Sequence, residues 1–303
     1  MRVFVTGASG HIGSVVAGEL IAAGPDVTGL ARSDSAAAAL RAAGVQVHRG
    51  DLDDTDSLRA GAAAADGVIH LAFKHDWGDF ASAAATDLRA IEAIGDVLAG
   101  SGKPFVSTSG TLMLTMAGPL GRTGTEEDTV EVGEPPRPRV ASENTAVALA
   151  GRGIRSSVVR LAPTVHGPED HHGFVPRLIG IARDTGVSGY VGDGANRWPA
   201  VHELDAARLY RLALEAAPPG TRLHGAGEEG IPFRDIAEAI GRRLNAPTAS
   251  IPPGDEAMAH FGFLGALVNL DNPTSHALTE KLLDWQPTHP GLIEDLAEGH
   301  YFR

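Results

Sequence analysis

The sequence predicts an α/β protein with a doubly wound parallel sheet and a smaller mixed region toward its carboxyl end. Short apolar runs alternate with segments of helical periodicity through the first half of the 303 residues, which is typical of parallel sheets with right-handed crossovers. This regular alternation stops beyond His166. We therefore expect residues 1–165 and part of 200–225 to form the main core. Residues 166–200 and 226–303 are expected to form a smaller substrate-binding region within one compact unit.

Six strands are indicated by β-branched and apolar runs that end at glycine or polar residues. The fourth run is almost wholly apolar, as expected for a strand that is covered by helices on both faces. In chain order the predicted strands are RVFVTG, DVTGLAR, VQVHRGD, GVIHLAF, KPFVSTSG and IRSSVVRLA.

The helices between these strands are indicated by apolar residues at helical spacing and by capping residues. The first, GHIGSVVAGELIAAG, stops at Gly24. The next two, SDSAAAALRAAG and TDSLRAGAAAA, open on residues that suit an N-cap. Longer helical patterns cover roughly Phe80–Leu98 and Val140–Ala150. The stretch Gly118–Pro138, which is rich in proline, glycine and charge, predicts a surface loop.

Composition excludes several classes of function. The chain has no cysteine and a net charge of −13, so thiolate chemistry is excluded and nucleic acids and anionic membranes are poor partners. No window approaches the length of a membrane span, about 18 uninterrupted apolar residues. The start MRVFVTGASG lacks the features of a signal peptide. We expect a cytoplasmic protein that binds neither nucleic acid nor membrane.

A glycine-rich turn directly follows the first strand and opens the first helix, which is the context that makes this motif informative. In the Rossmann-type fold the first glycine permits the tight turn, the second lets the backbone approach a pyrophosphate, and the third allows close packing. The helix N-terminus then offers its free N–H groups to the phosphates. The residues expected to bind the cofactor here are Gly7, Ser9, Gly10, His11, Ile12 and Gly13.

The end of the second strand indicates which dinucleotide is bound. An acidic residue there would hold the ribose 2′-hydroxyl of NAD, but the sequence offers Arg32 and Ser33. An arginine pairs well with a 2′-phosphate. The sequence therefore favours NADP(H), although Asp34 would lie near the ribose if the register shifted by one residue.

Several segments, taken in order along nearly the whole chain, resemble the extended short-chain dehydrogenases/reductases. They are Thr6–Gly13, Gly50-Asp51-Leu52, Val68–Ala72, Ser107-Thr108-Ser109, Arg160–Pro168 and Gly192–Asp205. This resemblance implies a cofactor site in which Asp51 and Leu52 hold the adenine. It also implies that Ser109 hydrogen-bonds a substrate carbonyl. The side chains that it places beside the ribose and nicotinamide are Leu71, Ala72, Phe73, Pro163 and Val165.

The chain departs from this family at its Tyr-x-x-x-Lys motif, in which the tyrosine is the general acid/base. None of the three tyrosines has a lysine four residues later. At the corresponding positions the sequence has Arg139 and Glu143. The chain therefore resembles an atypical subgroup that has lost the usual pair.

Four residues are candidates to supply the missing chemistry. Ser109 is a hydrogen-bond donor for a developing charge, and Arg139 is a fixed cation but a poor acid. Lys74 and His75 follow the fourth strand, where ligands sit in open α/β sheets. His75 titrates near neutral pH, and Asp76 is a candidate to orient it.

The sequence thus predicts an NADP(H)-dependent oxidoreductase that reduces a small carbonyl or imine compound. Two alternatives stay open, a nucleotide-sugar-type epimerase or dehydratase with bound NAD, and a non-catalytic NADP-binding sensor. We predict no metal site, because the adjacent histidines of Asp170-His171-His172 seldom bind one ion together. The resemblance also suggests a homodimer formed through the helices over Phe80–Leu98 and Val140–Ala150.

Overall fold

The computed structural model describes residues 1–75, 78–116, 118, 120–133 and 137–303. Its centre is a seven-stranded, wholly parallel sheet in the order β10-β6-β5-β4-β1-β2-β3. This order reverses direction between β1 and β4, which is where doubly wound sheets bind their ligands. The strands are β1 (Arg2–Thr6), β2 (Asp26–Ala31), β3 (Gln46–Arg49), β4 (Gly67–His70), β5 (Pro104–Gly110), β6 (Arg155–Leu161), β7 (Thr164–His166), β8 (Ser188–Val191), β9 (Arg197–His202), β10 (Thr221–Gly225), β11 (Glu228–Pro232) and β12 (Thr248–Ile251).

Twelve α-helices lie within the described residues, and no described helix meets the length and hydropathy that a membrane span requires. They are α1 (His11–Ala23), α2 (Asp34–Ala42), α3 (Thr55–Ala64), α4 (Phe80–Leu98), α5 (Met113–Met116), α6 (Pro138–Ala148), α7 (Phe174–Thr185), α8 (Glu203–Ala216), α9 (Phe233–Leu244), α10 (Asp255–Phe261), α11 (Ala277–Leu283) and α12 (Leu292–Glu298).

The main sheet is covered on both faces, which explains why its strands read as apolar runs. Helices α1 and α8 pack together on one face, while α3, α4 and α6 pack together on the other. Val16 and Leu209 belong to the core on the first face, and Leu58 and Ile91 belong to the core on the second. The predicted doubly wound α/β fold is confirmed, and all six predicted strands form.

The smaller region has its own sheets and its own apolar core. Strands β11, β9 and β7 form one small sheet, and β12 pairs with β8 in another. Helices α7 and α9 enclose a core that includes the fully buried ring of Trp198. This mixed region rests near the carboxyl ends of the main strands, because β7 directly follows β6.

Candidate active site and cofactor-binding site

The glycine-rich turn has the shape that an anionic ligand requires. Gly7 adopts a φ of +76°, and a Cβ atom there would lie 2.8 Å from the backbone nitrogen of Ala72. A Cβ atom on Gly13 would lie 2.0 Å from the Gly7 carbonyl oxygen. Helix α1 begins after Gly10, which provides no side-chain cap, so its first N–H groups remain available. The turn therefore fits a pyrophosphate held by backbone N–H groups.

A second basic residue, Arg49, lies at the turn where Arg32 is predicted to bind the 2′-phosphate of the cofactor ribose. Ser33 caps α2 by accepting a hydrogen bond from Ala36 N at 3.1 Å, and Arg32 is exposed. Arg49, at the end of β3, donates to the Ser33 carbonyl oxygen at 2.6 Å and pairs with Asp34. Asp34 therefore already has a cationic partner. Sequence reasoning missed Arg49, because its approach to this turn depends on the pairing of β2 with β3.

Lys74 lies toward the predicted adenine side of the site. Its ammonium forms an ion pair with Asp53 and approaches Asp51 to 4.0 Å. The hydrogen bond from Lys74 lowers the pKa of Asp53. Leu52 is buried in the core beneath this turn. Lys74 therefore braces the turn that follows β3.

A buried chain of hydrogen bonds supports the end of β4. Ala72 N donates to Thr6 Oγ1 at 3.2 Å, and Thr6 Oγ1 lies 2.8 Å from His70 Nδ1. His70 Nε2 in turn lies 3.2 Å from Asp87 Oδ1 on α4. Burial opposes ionisation of Asp87, but the bond from His70 and the charge of Arg139 lower its pKa. This chain fixes the backbone against which the glycine-rich turn packs.

Arg139, the residue expected to replace the family's tyrosine, lies in the first turn of α6 and reaches the carboxyl end of β5. Its Nη2 donates to the Thr108 carbonyl oxygen at 2.8 Å. Its Cζ lies 4.1 Å from the centroid of the Phe73 ring, which is within cation–π distance. A residue at the start of a helix is commonly solvated, but here the guanidinium lies at the carboxyl end of β5.

His75 lies beside this guanidinium. Its ring centroid is 5.4 Å from that of Phe73. The residue is exposed, yet partial removal of its imidazole from water and the charges of Arg139 and Arg177 lower its pKa. Asp76, which the sequence offers as its orienting partner, lies outside the described residues.

Ser109 lies near the end of β5 and is only 6% exposed. Its hydroxyl donates to Met113 Sδ at 3.4 Å and also helps to lower the pKa of Glu143. The remaining side chains expected to line the cofactor are half-buried or buried at the same edge of the sheet, namely Leu71, Pro163 and Val165.

Glu143, the residue expected to replace the family's lysine, belongs to a buried ion cluster. Its carboxylate accepts hydrogen bonds from Arg160 at 2.5 and 3.0 Å and from Arg222 at 2.9 Å. Burial opposes ionisation of Glu143, but the hydrogen bond and charge of Arg160 lower its pKa. Arg160 Nη1 also lies 3.3 Å from His224 Nε2. Position 143 is therefore part of the structural core.

His11 connects the glycine-rich turn to the smaller region. Its Nε2 lies 2.8 Å from Glu203 Oε2, and its Nδ1 lies 3.6 Å from Asp170 Oδ1. Tyr301 donates to Asp170 Oδ2 at 3.2 Å. Burial raises the pKa of Asp170. The sequence alone did not reveal this cluster, because its members are far apart along the chain.

The histidines of the Asp170-His171-His172 run do not converge with Asp170 on one point. Both are exposed, whereas Asp170 is buried. Among the described residues, a different group brings possible ligand atoms within 4.8 Å of one another, Asp295, Glu298 and His300. Such groups are common without an ion.

The sheet, the glycine-rich turn and the cleft beside it define a dinucleotide-binding α/β protein of the enzyme type. The chain belongs to the NAD dependent epimerase/dehydratase family, whose sequence profile matches residues 3–223.

Comparison with individual proteins gives the same family. An uncharacterized protein of Schizosaccharomyces pombe is 49% identical over 302 residues, which cover 100% of both chains. The 2'-dehydrokanamycin reductase of Streptomyces kanamyceticus is 30% identical over 292 residues, which cover 93% of this chain and 79% of that one. Further relatives bear the names of reductases and of a UDP-glucose 4-epimerase.

Solved structures share the fold. The dTDP-glucose 4,6-dehydratase DesIV of Streptomyces venezuelae, solved with NAD and TYD bound, superposes with a TM-score of 0.79. The alignment covers 100% of this chain and 97% of DesIV at 21% identity. At that identity the likeness shows the fold alone.

Proposed function

We propose that this protein is an NADP(H)-dependent reductase of a small carbonyl or imine compound. The observation that carries this proposal is the position of Arg139, which donates to the carbonyl oxygen of Thr108, the residue before Ser109, and stacks on Phe73. A preorganised cation or hydrogen-bond donor stabilises the charge that develops on a carbonyl oxygen in the transition state. Arg139 and Ser109 would together supply this stabilisation.

The reaction requires one hydride and one proton. When bound, the reduced nicotinamide supplies the hydride, with its two electrons, to the carbonyl or imine carbon. The Ser109 hydroxyl, which donates to Met113 Sδ in the free protein, would donate instead to the substrate oxygen or nitrogen, and Arg139 would stabilise the charge there. We assign delivery of the proton to His75, which regains a proton from water. Lys74 stabilises the turn on the predicted adenine side of the site through its ion pair with Asp53.

The choice of NADP(H) rests on the groups that surround the ribose position. Arg32 is exposed at the end of β2, and Arg49 approaches the same turn through the Ser33 carbonyl. Two guanidinium groups suit a phosphate, because each can form paired hydrogen bonds with its oxygens. Asp34, the acid that would suit an NAD ribose, pairs with Arg49.

The proposal is tested by following NADPH oxidation by the purified protein with a panel of aldehydes, ketones and cyclic imines. We expect turnover with at least one class. The Arg139→Gln variant should lose about 10²-fold or more in kcat, as is typical when one oxyanion-stabilising donor is removed. Its NADPH affinity should be unchanged, since Arg139 is not assigned to the cofactor.

Two outcomes would overturn the proposal. NADPH binding without oxidation in the whole panel would identify a non-catalytic binding protein. Purification with tightly held NAD, together with no net oxidation of NADPH by any compound of the panel, would instead support an epimerase or dehydratase.

A further inference from the structure

A cluster of three ionisable side chains joins the glycine-rich turn to the smaller region. His11, the first residue of α1, lies between two carboxylates that are almost completely buried. Its Nε2 is 2.8 Å from Glu203 Oε2, at the start of α8, and its Nδ1 is 3.6 Å from Asp170 Oδ1, in the loop between β7 and α7. Both ring nitrogens therefore face an acidic partner.

Two glycines leave the space that these carboxylates occupy. A Cβ atom at Gly167 would lie 2.4 Å from Glu203 Cδ, and one at Gly173 would lie 2.5 Å from Asp170 Oδ1. The backbone N–H of Glu169 donates to Glu203 Oε1 at 3.2 Å, and that of Gly173 donates to Asp170 Oδ1 at 2.8 Å. Each carboxylate is thus held in one orientation toward His11.

The hydrogen-bonding chemistry of the cluster favours a ring that carries a proton on both nitrogens. A carboxylate only accepts hydrogen bonds, whereas a neutral imidazole has one N–H and one lone pair. In a neutral His11 the lone pair would face a carboxylate oxygen, which is a repulsive arrangement. An imidazolium presents an N–H group to both Glu203 and Asp170, and each opposite charge stabilises it.

A bound dinucleotide would add negative charge beside this cluster. The start of α1 after Gly10 is the expected diphosphate site, and the diphosphate of a dinucleotide is an anion. With a neutral His11 the cluster already carries the charges of both carboxylates, and a proton on the ring cancels one of them. Charges interact more strongly in a partly buried site than in water. The diphosphate therefore favours the protonated cluster.

We propose that dinucleotide binding to this protein is coupled to the uptake of a proton by His11, and that Glu203 and Asp170 are the positioning residues that create this coupling. By linkage, a ligand that favours the protonated form binds more weakly as the pH rises. The inference concerns cofactor binding and does not depend on the proposed reduction. It gives the His11 side chain a role beyond that of its backbone in the glycine-rich turn.

The other titratable groups that face the cluster do not account for such a proton. Tyr301 donates to Asp170 Oδ2 at 3.2 Å, and burial raises the pKa of Tyr301 above its ordinary value of 10. Burial lowers the pKa of His202, the residue before Glu203, below 6.5. Burial raises the pKa of Asp170, but the charge of His11 opposes this rise. We therefore assign the proton to His11.

The test measures cofactor affinity and not turnover. NADPH and NADH are each titrated into the natural protein by calorimetry at pH 7, 8 and 9, in buffers that differ in their ionisation enthalpy. This range lies above the second pKa of a phosphate monoester, about 6, so the 2′-phosphate of NADPH keeps its charge. The variant is His11→Gln, and the matched control is His171→Gln, at an exposed histidine beside Asp170.

We expect the Kd of the natural protein to increase about three-fold or more from pH 7 to pH 9, and by at most about ten-fold per pH unit for one coupled proton. The dependence of the binding enthalpy on the buffer should show proton uptake. His11→Gln should lose both the pH dependence and the uptake, whereas His171→Gln should keep both.

The Glu203→Gln variant separates this role from a structural one. Glutamine keeps an oxygen that accepts from His11 but removes one negative charge beside the diphosphate. At pH 9 the variant should therefore bind the dinucleotide about two-fold or more tightly than the natural protein does. The fall in affinity should also begin at a lower pH. A loss of affinity that is equal at every pH would assign Glu203 to structure alone and contradict the inference.

Failure of this inference is distinguishable from failure of the reductase function. A cofactor affinity that is independent of pH, or a pH dependence that persists unchanged in His11→Gln, would reject the coupling and leave the reductase intact. Proton uptake that depends on His11, in a protein that oxidises NADPH with no compound of the panel, would keep the coupling and reject the reductase. If neither NADPH nor NADH binds, the inference is wrong.

Discussion

The guanidinium carbon of Arg139 lies 4.1 Å from the centroid of the Phe73 ring, and this contact holds a positive charge at the position where the resemblance predicts a tyrosine. The hydrogen bond to the Thr108 carbonyl holds the same group from a second direction. The two contacts together define one orientation for the Arg139 side chain at the carboxyl end of β5. Geometry as well as charge is therefore expected to matter at this position.

The Arg139→Lys variant tests that expectation. Lysine keeps the charge but lacks the planar guanidinium, which can stack on an aromatic ring while the N–H groups at its edge donate hydrogen bonds. We expect kcat to fall about 10-fold or more, equivalent to the loss of at least 1.4 kcal/mol of transition-state stabilisation, with NADPH affinity unchanged. Steady-state kinetics and a cofactor titration measure both quantities. Full activity in Arg139→Lys would show that charge alone is sufficient.

The pH dependence of turnover tests the assignment of His75. Its pKa lies below the ordinary value of 6.5, because partial burial and the charges of Arg139 and Arg177 disfavour the imidazolium. At neutral pH most of the imidazole is therefore unprotonated. If the imidazolium delivers the proton, kcat should increase as the pH falls below 6.5.

The control for His75 is His75→Gln, in which this increase should disappear while NADPH binding remains. His171→Gln, at an exposed histidine, should keep the increase. A pH profile that is identical in His75→Gln and the natural protein would remove His75 from the mechanism.

Glu143 is expected to contribute to stability through its two arginine partners. Removing one member of a buried ion pair leaves the other charge uncompensated, so Glu143→Ala should lower the free energy of unfolding by about 3–5 kcal/mol. Glu143→Lys should be worse, since it places a third cation beside Arg160 and Arg222. Urea denaturation measures this effect. Glu127→Ala, at an exposed site, should lie within about 0.5 kcal/mol of the natural protein, and a comparable effect of both substitutions would contradict this account.

His224 should make stability depend on pH. Burial and the charge of Arg160 lower its pKa to about 4, whereas an unfolded histidine titrates near 6.5. Between pH 4 and pH 6.5 the unfolded chain therefore binds a proton that the folded chain does not bind. The contribution of His224 to the free energy of unfolding should be fully present above pH 6.5. It should decline by up to about 3 kcal/mol as the pH falls to 4.

The matched variant is His224→Gln, in which this part of the pH dependence should vanish. Urea midpoints at pH 7 and pH 5 measure it. Unchanged pH dependence in His224→Gln would assign the decline to other groups.

The main sheet and the glycine-rich turn were predictable because their signals are local. Apolar runs, caps and glycine spacing depend on neighbouring residues, and the six strands and the long helix Phe80–Leu98 form as expected. The positive φ of Gly7 and the close packing of Gly13 also follow from spacing within one short motif.

The chemistry of the cleft was less predictable because it depends on long-range contacts. Glu143 meets Arg222 across 79 residues, and His11 meets Glu203 across 192 residues. The orientation of Arg139 depends on its contact with Phe73, which lies in the loop that follows β4. The residue types at positions 139 and 143 differ from the tyrosine and lysine that the resemblance predicts there, but only tertiary packing shows what Arg139 and Glu143 contact.

Cofactor binding is the most direct test of the whole account. NADPH and NADH are each titrated into the natural protein and into Arg32→Ala, and binding is followed by the change in tryptophan fluorescence. The control variant is Arg41→Ala, at an exposed arginine on α2. We predict that the natural protein binds NADPH more tightly than NADH. Arg32→Ala should weaken NADPH about ten-fold or more, the cost of a lost charge-assisted contact, and should leave NADH unchanged, while Arg41→Ala should change neither. Equal or tighter binding of NADH, unaffected by Arg32→Ala, would contradict the assignment of NADP(H).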